Sequence, residues 1–119
     1  MFTKIFIPIL GDDISPRFDL SAEAFIAGVD EMGRRQEGRI VVLPQVSAEQ
    51  LCHLILTENA GVVICGGIEE EYYQYLVWKR IQVYDSIIGP WEAAISRYLE
   101  GKLQPGDILR KELEAAGYE

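Results

Sequence analysis

Apolar residues recur along the chain with two different periods, and the change of period predicts where strands and helices alternate. Runs rich in β-branched and aromatic residues are typical of strands. We predict five strands, over residues 3–10, 23–30, 34–43, 61–65 and 81–88. The run Val62, Val63 and Ile64 contains no alternating polar residue, as expected of a strand that is covered on both faces.

Helical spacing of apolar residues appears between the later strands and after the last one. Ser47 is a predicted N-cap, because Glu49 and Gln50 follow it in a capping-box pattern. The next helix has glutamates in its first turn and basic residues at its end, the order that the peptide dipoles favour. We predict three helices, over residues 48–59, 69–80 and 90–100, and a short fourth one from Ile108 to Ala116 that is capped by Asp107.

The order of these elements is typical of a mixed sheet with helices on its faces. Three antiparallel strands followed by two parallel crossovers match the ribonuclease H-like arrangement. We therefore expect an α/β fold with a mixed five-stranded sheet in the order 3-2-1-4-5, in which strand 2 is antiparallel. Three helices cover the faces of the sheet, and the short C-terminal helix is added to them.

This topology makes the first and fourth strands neighbours, so the loops that follow them should lie side by side. The first loop, residues 11–22, combines turn-forming residues with apolar anchors. The second follows Cys65, where two glycines let the chain turn sharply or let another group approach closely. We expect the sulfur of Cys65 to face a cleft that is open to solvent. The first-loop residues expected near it are Asp12, Asp13, Arg17 and Phe18.

The overall charge and composition exclude some partners. The formal net charge of -8 repels phosphate backbones, and the 11 Lys and Arg residues form no cluster with aromatic residues. No apolar run is long enough to span a bilayer, and no basic leader precedes the first strand. We therefore expect a cytoplasmic protein with no nucleic-acid or membrane partner. Cys52 and Cys65 are expected to be reduced, because a core of this size needs no disulfide.

Cys65 is the candidate metal ligand, because soft metals and iron-sulfur centres select thiolates. A single thiol does not make a site, and the chain has neither a C-x-x-C motif nor a Cys/His pair at ligand spacing. A bound cluster would need further ligands. They could come from a second chain, from a small external thiol or from a carboxylate such as Asp12 or Asp19.

The placement of the residues disfavours two classes of enzyme. A ribonuclease H-like nuclease needs several carboxylates that converge on two divalent ions. The middle of the first strand instead has Phe6 and Ile7, and the fourth strand ends in Cys65. A cysteine-dependent hydrolase needs a base near the thiol, yet His53 falls on the outer face of its helix. We therefore predict a non-catalytic protein, with nuclease activity as the least favoured alternative.

Three segments carry a family resemblance. They are Gly-Asp-Asp-Ile-Ser-Pro-Arg-Phe-Asp-Leu at 11–20, Val-Val-Ile-Cys-Gly-Gly-Ile at 62–68 and Ile-Gly-Pro-Trp-Glu-Ala-Ala-Ile-Ser-Arg-Tyr-Leu-Glu-Gly-Lys-Leu at 88–103. They resemble the dinitrogenase iron-molybdenum cofactor biosynthesis family, whose domain is NifX/NafY-like. The similarity ends near Leu103, so we expect one such domain over residues 1–103 and a C-terminal extension over residues 104–119.

The resemblance implies a ribonuclease H-like fold that binds and carries an iron-sulfur cluster or an iron-molybdenum cofactor precursor. It also implies metal-cofactor assembly proteins as partners, and it leaves a homodimer open. The positions that match the family motifs are Ser15, Arg17, Phe18, Asp19, Cys65, Gly66, Gly67 and Ile68. The predicted cofactor site consists of Asp12 and all of these positions except Ile68. Cys65 is its predicted metal ligand. Many members have a histidine where Arg17 stands; arginine cannot coordinate a metal, but it offsets the negative charge of a cluster.

A binding or regulatory module without a metal is the alternative that the sequence leaves open. In this interpretation the groove between the two loops takes a small molecule or a peptide. The aromatic helix, residues 72–78, then meets a partner protein, because its tyrosines and Trp78 are typical of partner surfaces as well as of a core.

Overall fold

The computed structural model describes residues 3–36 and 38–109, in which six strands, three α-helices and one turn of 3-10 helix are present. The strands are β1 (Thr3–Leu10), β2 (Asp13–Ile14), β3 (Glu23–Val29), β4 (Arg39–Val42), β5 (Val62–Ile64) and β6 (Gln82–Tyr84). The helices are α1 (Ala48–Thr57), α2 (Glu70–Trp78) and α3 (Trp91–Leu99). The 3-10 turn, Phe18–Leu20, lies between β2 and β3.

Strand β1 is the centre of the sheet. It pairs antiparallel with β3 and parallel with β5, where Ile5 is opposite Val62 and Phe6 is opposite Val63. The sheet runs β4-β3-β1-β5-β6, and β2 pairs with the end of β1. Because β1 has neighbours on both sides and cover on both faces, its residues 5–9 are all buried.

Side chains of the central strands alternate between two hydrophobic cores. One core lies against α1 and α2 and contains Phe6, Val63 and Cys65. The other lies against α3 and contains Ile5, Ile7 and Ile64. The strand ends therefore present alternate residues to opposite sides of the molecule, and position 65 belongs to the α1 and α2 side.

The three predicted helices between residues 48 and 100 are confirmed in position, and α1 also has the predicted cap. The hydroxyl of Ser47 accepts a hydrogen bond from the backbone N–H of Gln50 at 3.2 Å. Leu51 and Cys52 of this helix are buried, and His53 is exposed, as expected. No helix in the described ranges is both long enough and apolar enough to cross a membrane.

The sheet has one strand more than expected. The prediction of five strands in the order 3-2-1-4-5 lacks β2, in which Ile14 pairs with Ile9 and Asp13 pairs with Leu10. Gly11 permits this tight hairpin because it adopts a φ of +63°, a conformation that side chains disfavour. The mixed α/β architecture is confirmed. The path through the five longer strands is β4-β3-β1-β5-β6, with β2 beside it.

The strand expected over residues 34–43 is shorter than predicted. Only Arg39–Val42 pairs continuously with β3, and Arg35 makes an isolated bridge with Val29. Between these pairings Gly38 lies against the ring of Phe25, where a Cβ would overlap the ring. The missing side chain thus lets the chain pass close to the aromatic ring, at the cost of regular pairing.

The strand expected over residues 81–88 also ends early, at Tyr84. Ser86 adopts a φ of 60°, and its backbone N–H donates to the carbonyl oxygen of Gly66 at 2.9 Å. The backbone N–H of Ile87 donates to the carbonyl oxygen of Cys65 at 3.0 Å. The chain turns here because these two hydrogen bonds replace the sheet ladder.

The predicted helix from Ile108 to Ala116 lies mostly outside the described residues. Its first residue, Ile108, makes an isolated parallel bridge with Ile88 and is not helical. Leu103 and Leu109 are buried in the core beside α3. The described part of the C-terminal extension therefore packs onto the domain.

Candidate functional site

The loop after β2 is paired with the turn after β5, as the predicted topology requires. The backbone N–H of Phe18 donates to the carbonyl oxygen of Gly67 at 2.8 Å, and the N–H of Gly67 donates to the carbonyl oxygen of Pro16 at 2.9 Å. Arg17 and Gly67 thus form a parallel bridge. A Cβ on Gly66 would overlap the carbonyl oxygen of Ser15. The two glycines therefore allow one backbone to lie directly on the other.

Phe18 fixes this loop from beneath. Its side chain is 1% exposed and lies in the same core as Phe6 and Cys65. Its ring stacks against that of Tyr72 of α2, with 6.4 Å between the ring centroids. Phe18 is therefore a packing residue, and its ring is not on the surface of an open cleft.

The expectation that the Cys65 sulfur faces solvent at the rim of the sheet is wrong. Cys65 is 0% exposed and lies in the core against α1 and α2. Burial, followed by the nearby carboxylate of Asp85, raises the pKa of the thiol. Successive residues of a strand point to opposite faces of the sheet. Ile64 points toward α3, so Cys65 points toward α1 and α2, where Phe18 lies in the same core. The sulfur is thus a neutral thiol that metal ions do not reach in this conformation.

Exposing Cys65 requires the loop at 15–18 to lift from the Gly66–Gly67 turn. Withdrawing a phenylalanine side chain from a core costs about 1.5–3 kcal/mol, and each lost hydrogen bond costs about 1 kcal/mol. Together these costs of about 4 kcal/mol correspond to an open population on the order of one molecule in a thousand. Direct ligation by the Cys65 thiolate is therefore not the resting arrangement of this site.

Arg17 points outward and is held by an acid of its own loop. Its Nε donates to Asp19 Oδ1 at 3.1 Å and its Nη2 donates to Asp19 Oδ2 at 2.7 Å. This pair raises the pKa of Arg17 and lowers the pKa of Asp19. The carbonyl oxygen of Arg17 accepts hydrogen bonds from the hydroxyls of Ser15 and Ser21. The guanidinium is 61% exposed and positioned in a defined direction, so it can still meet a ligand.

A cavity of about 410 Å³ lies on the outer side of this loop. Three of its walls are apolar side chains that are largely exposed: Leu10 (66%), Leu20 (57%) and Val42 (70%). Its polar wall is formed by Ser15, Arg17, Ser21 and Glu23. A cavity of this size with apolar walls and a few polar groups is typical of a small-molecule site. The structure thus brings two predicted site residues to a cavity, and it leaves Cys65 outside it.

Asp12 and Asp13 lie at the far end of the β1–β2 hairpin. Asp13 bridges Pro90, and the carbonyl oxygen of Asp12 accepts from the backbone N–H of Trp91 at 3.1 Å. Both residues are exposed, and neither lines the cavity. The expectation that they approach Cys65 is therefore not met, because the hairpin directs its tip toward the start of α3.

The described residues contain no group of three or more His, Cys, Asp or Glu side chains that could hold a metal ion. Cys52, the second thiol, is separated from the loop cavity because it lies on α1. Burial, followed by the charge of Glu49, raises its pKa to about 11.

Sequence reasoning did not find the apolar walls of the cavity. Leu20 lies in the predicted loop of residues 11–22, and Leu10 and Val42 lie in predicted strands. The available signal is the position of Leu10 and Val42 at the ends of strands, where an apolar side chain has little of the sheet to pack against. Leu20 belongs to the 3-10 turn, which the periodicity of the sequence does not predict.

No family model and no curated protein matches the sequence. Several solved structures do match, and PH0822 has 20% sequence identity and a TM-score of 0.77 over 87% of this chain and 96% of that chain. MJ0327 from Methanocaldococcus jannaschii, provisionally named a dinitrogenase, has 26% identity and a TM-score of 0.71 over 87% of this chain and 94% of that chain. The apo form of the orange protein from Desulfovibrio gigas has 21% identity and a TM-score of 0.67, over 88% of this chain and 93% of that chain.

PH0822 and the orange protein support the fold alone, since their sequence identities are low. MJ0327 is more similar in sequence and connects the fold with proteins related to nitrogenase. The three sequence segments resemble the same group of proteins, and two of them contain the paired loops described above. By its motifs and its fold, the chain resembles the dinitrogenase iron-molybdenum cofactor biosynthesis family.

Proposed function

We propose that this protein is a non-catalytic binding domain that carries a metal cofactor, an iron-sulfur cluster or a precursor of the iron-molybdenum cofactor, in the cavity beside the loop at 15–17. The observation that carries the proposal is the position of this cavity. Its polar wall consists of Ser15, Arg17, Ser21 and Glu23, and the first two belong to the sequence segment that resembles the cofactor family. The likeness to MJ0327 supports the same class of function.

The cargo in this proposal is anionic and has an apolar or sulfur-rich surface. Arg17 supplies the positive charge, because its side chain is exposed and always protonated. Glu23 also lines the cavity, so the cargo must place its negative charge on the Arg17 side. Leu10, Leu20 and Val42 supply an apolar surface for the body of the cargo. Cys65 acts behind the site by filling the core beneath the loop. The cargo is thus held by charge and shape, and it is released without breaking a bond from the protein to the metal.

The second candidate function is a metal-free module that binds a partner protein. The burial of Cys65 favours it, because it removes the single thiol from the loop surface. The exposure of Trp78 on α2 also favours it, since 74% of this residue faces solvent. Tryptophan is enriched at the centres of protein interfaces. In the carrier proposal, the protein that contacts Trp78 is a cofactor assembly protein. In the metal-free proposal, it is any other protein.

Purification without oxygen tests the carrier proposal, first without any addition and then with a preformed [4Fe–4S] cluster that carries small thiol ligands. We expect iron and a brown colour to elute with the protein. Arg17→Ala should release most of this iron. Arg34→Ala is the matched control, because Arg34 forms a similar exposed ion pair with Asp30 at the other end of β3.

The response of Cys65 completes the experiment. Cys65→Ser should retain iron in proportion to the folded fraction of the protein, because the sulfur is not a ligand in this proposal. Protein that is colourless on isolation and binds no iron from the added cluster would contradict the carrier proposal and favour the metal-free module. Loss of all iron in folded Cys65→Ser would show that the loop opens and that the thiol ligates the cluster.

A further inference from the structure

A second cavity lies between α1 and α2, on the side of the sheet that covers Cys65. Its volume is about 330 Å³, which is within the range of small-molecule sites. We call it the α1–α2 groove. The residues that line it are Glu49, Cys52, His53, Leu56, Glu71, Tyr72 and Tyr75.

The charge of the α1–α2 groove is negative. Glu49 projects from α1 and Glu71 from α2, so one carboxylate comes from each side. Neither of them forms an ion pair or a hydrogen bond with another described residue. No lysine or arginine is among the described residues that line the groove. Two carboxylates without cationic partners therefore face one cavity.

Two tyrosine rings add a surface that attracts cations. Tyr72 and Tyr75 lie one helical turn apart on α2, and both line the groove. Tyr75 already interacts with a positive charge, since Lys79 Nζ is 5.7 Å from its ring centroid. The faces of aromatic rings carry partial negative charge, and ammonium groups bind to them. The groove thus combines rings and carboxylates, a combination that suits an organic cation.

Two ionisable groups that line the groove have shifted pKa values. The pKa of Cys52 is raised, by burial and then by Glu49. The pKa of Tyr72 is raised by burial and then by the charges of Glu71, Glu49 and Glu69. Burial, the larger cause, disfavours a charge of either sign. The smaller cause, the nearby carboxylates, disfavours a negative charge and favours a positive one at the same position.

We propose that the α1–α2 groove binds a small organic cation, an ammonium group with apolar substituents. The carboxylates of Glu49 and Glu71 neutralise the charge, the rings of Tyr72 and Tyr75 contact the substituents, and Leu56 closes the apolar end. A metal ion is a poorer occupant, because no set of three metal-binding side chains is present in the part of the chain that the structure describes. This site is independent of the loop cavity that carries the proposed function.

Choline and its uncharged analogue of the same shape, 3,3-dimethyl-1-butanol, provide the test. Each is titrated into the ¹⁵N-labelled full chain at millimolar concentration while the amide signals are recorded. With choline we expect saturable shifts at Cys52, His53, Tyr72 and Tyr75. The uncharged analogue should bind about tenfold more weakly, since it lacks the charge that the carboxylates and rings attract. Equal binding of both compounds, or no shift with either, would overturn the proposal.

Variants separate the charge of the groove from its shape. Glu71→Gln and Glu49→Gln should each weaken choline binding about two- to fivefold, and Tyr75→Leu should do the same through loss of the ring. Glu100→Gln is the matched control, because Glu100 is exposed at the end of α3 on the opposite face. The amide spectrum shows for each variant whether it is folded. Unchanged affinity in folded Glu71→Gln and Glu49→Gln, or shifts with Zn²⁺ and none with choline, would contradict an organic-cation site.

Discussion

The backbone N–H of Phe18 and the carbonyl oxygen of Gly67 form a hydrogen bond of 2.8 Å that joins two loops distant in sequence. This bond places Phe18 above Cys65 and turns Arg17 outward. The buried ring and the exposed guanidinium thus follow from one backbone contact. Its consequences for stability and reactivity can be measured separately.

The first prediction concerns the close approach of the loop to Gly66. A Cβ on Gly66 would overlap the carbonyl oxygen of Ser15 and lie 2.9 Å from that of Pro16. Backbone atoms cannot move aside without breaking the pairing. We therefore expect Gly66→Ala to lower the free energy of unfolding by roughly 1–3 kcal/mol in urea denaturation.

Gly67→Ala is the control for this prediction. Its Cβ would be 3.3 Å from the carbonyl oxygen of Pro16, a contact that small movements relieve. We expect a smaller loss of stability than in Gly66→Ala. If the two variants unfold at the same denaturant concentration, the loop does not lie on the glycine turn as described.

The second prediction concerns the reactivity of the Cys65 thiol. In a Cys52→Ala background, Cys65 is the single cysteine. Because its sulfur is buried and its pKa is raised, we expect it to react with a disulfide reagent on the order of a thousandfold more slowly in the native protein than in urea. Absorbance of the released thiol measures the rate. A native rate close to that in urea would mean that the loop is open most of the time.

The third prediction concerns the carboxylate of Asp19. The hydrogen bond from the Arg17 side chain is the largest cause of its lowered pKa. We expect Arg17→Ala to return the pKa of Asp19 to its ordinary value, as followed by carboxyl ¹³C shifts during an acid titration. The Arg17–Asp19 pair contributes its full stability above the ordinary pKa of an aspartate. This contribution is lost as the pH falls through the lowered pKa of Asp19.

Asp30 and Arg34 form the comparison pair for this titration. The pKa of Asp30 is also lowered, but the largest cause is the backbone N–H of Arg34. Arg34→Ala retains this N–H, so most of the lowering of the Asp30 pKa should remain. Equal responses of Asp19 and Asp30 to the loss of their arginines would contradict the assignment of these causes.

The fourth prediction concerns stability in alkaline solution. Burial raises the pKa of Cys52 from 9.0 to about 11. The buried neutral thiol of Cys52 contributes to the free energy of unfolding. Because its pKa is raised in the folded state, this contribution is complete below pH 9 and is lost as the pH rises to about 11. Between these values we expect the free energy of unfolding to fall by up to about 2 kcal/mol more in the wild type than in Cys52→Ala. Identical pH profiles of the two proteins would show that the thiol is not buried.

Much of this fold follows from local patterns in the sequence. The Ser47 cap, the buried stripe of α1 and the apolar run of β5 have signals within a few residues, and each was predicted. β2 has no such signal, since a strand of two residues has no periodicity. The late start of β4 and the early end of β6 depend on contacts with Phe25 and Gly66, which are distant in sequence.

The candidate site was predictable to the level of neighbouring loops. Strand order predicts that the loop at 15–18 meets the turn after Cys65, and the structure has this arrangement. The direction of a side chain at a strand end was not predictable in the same way. It depends on the exact residue at which β5 stops, and one position decides whether the thiol faces solvent or core. The role of the predicted site residues in binding a cofactor stays a prediction.

The glycine turn after β5 accepts hydrogen bonds from two directions. The carbonyl oxygen of Gly67 binds the N–H of Phe18, and that of Gly66 binds the N–H of Ser86, which precedes α3. The Gly66–Gly67 turn therefore anchors both the loop that bears Arg17 and the segment that leads to α3. A substitution that displaces this turn should loosen both of these segments together.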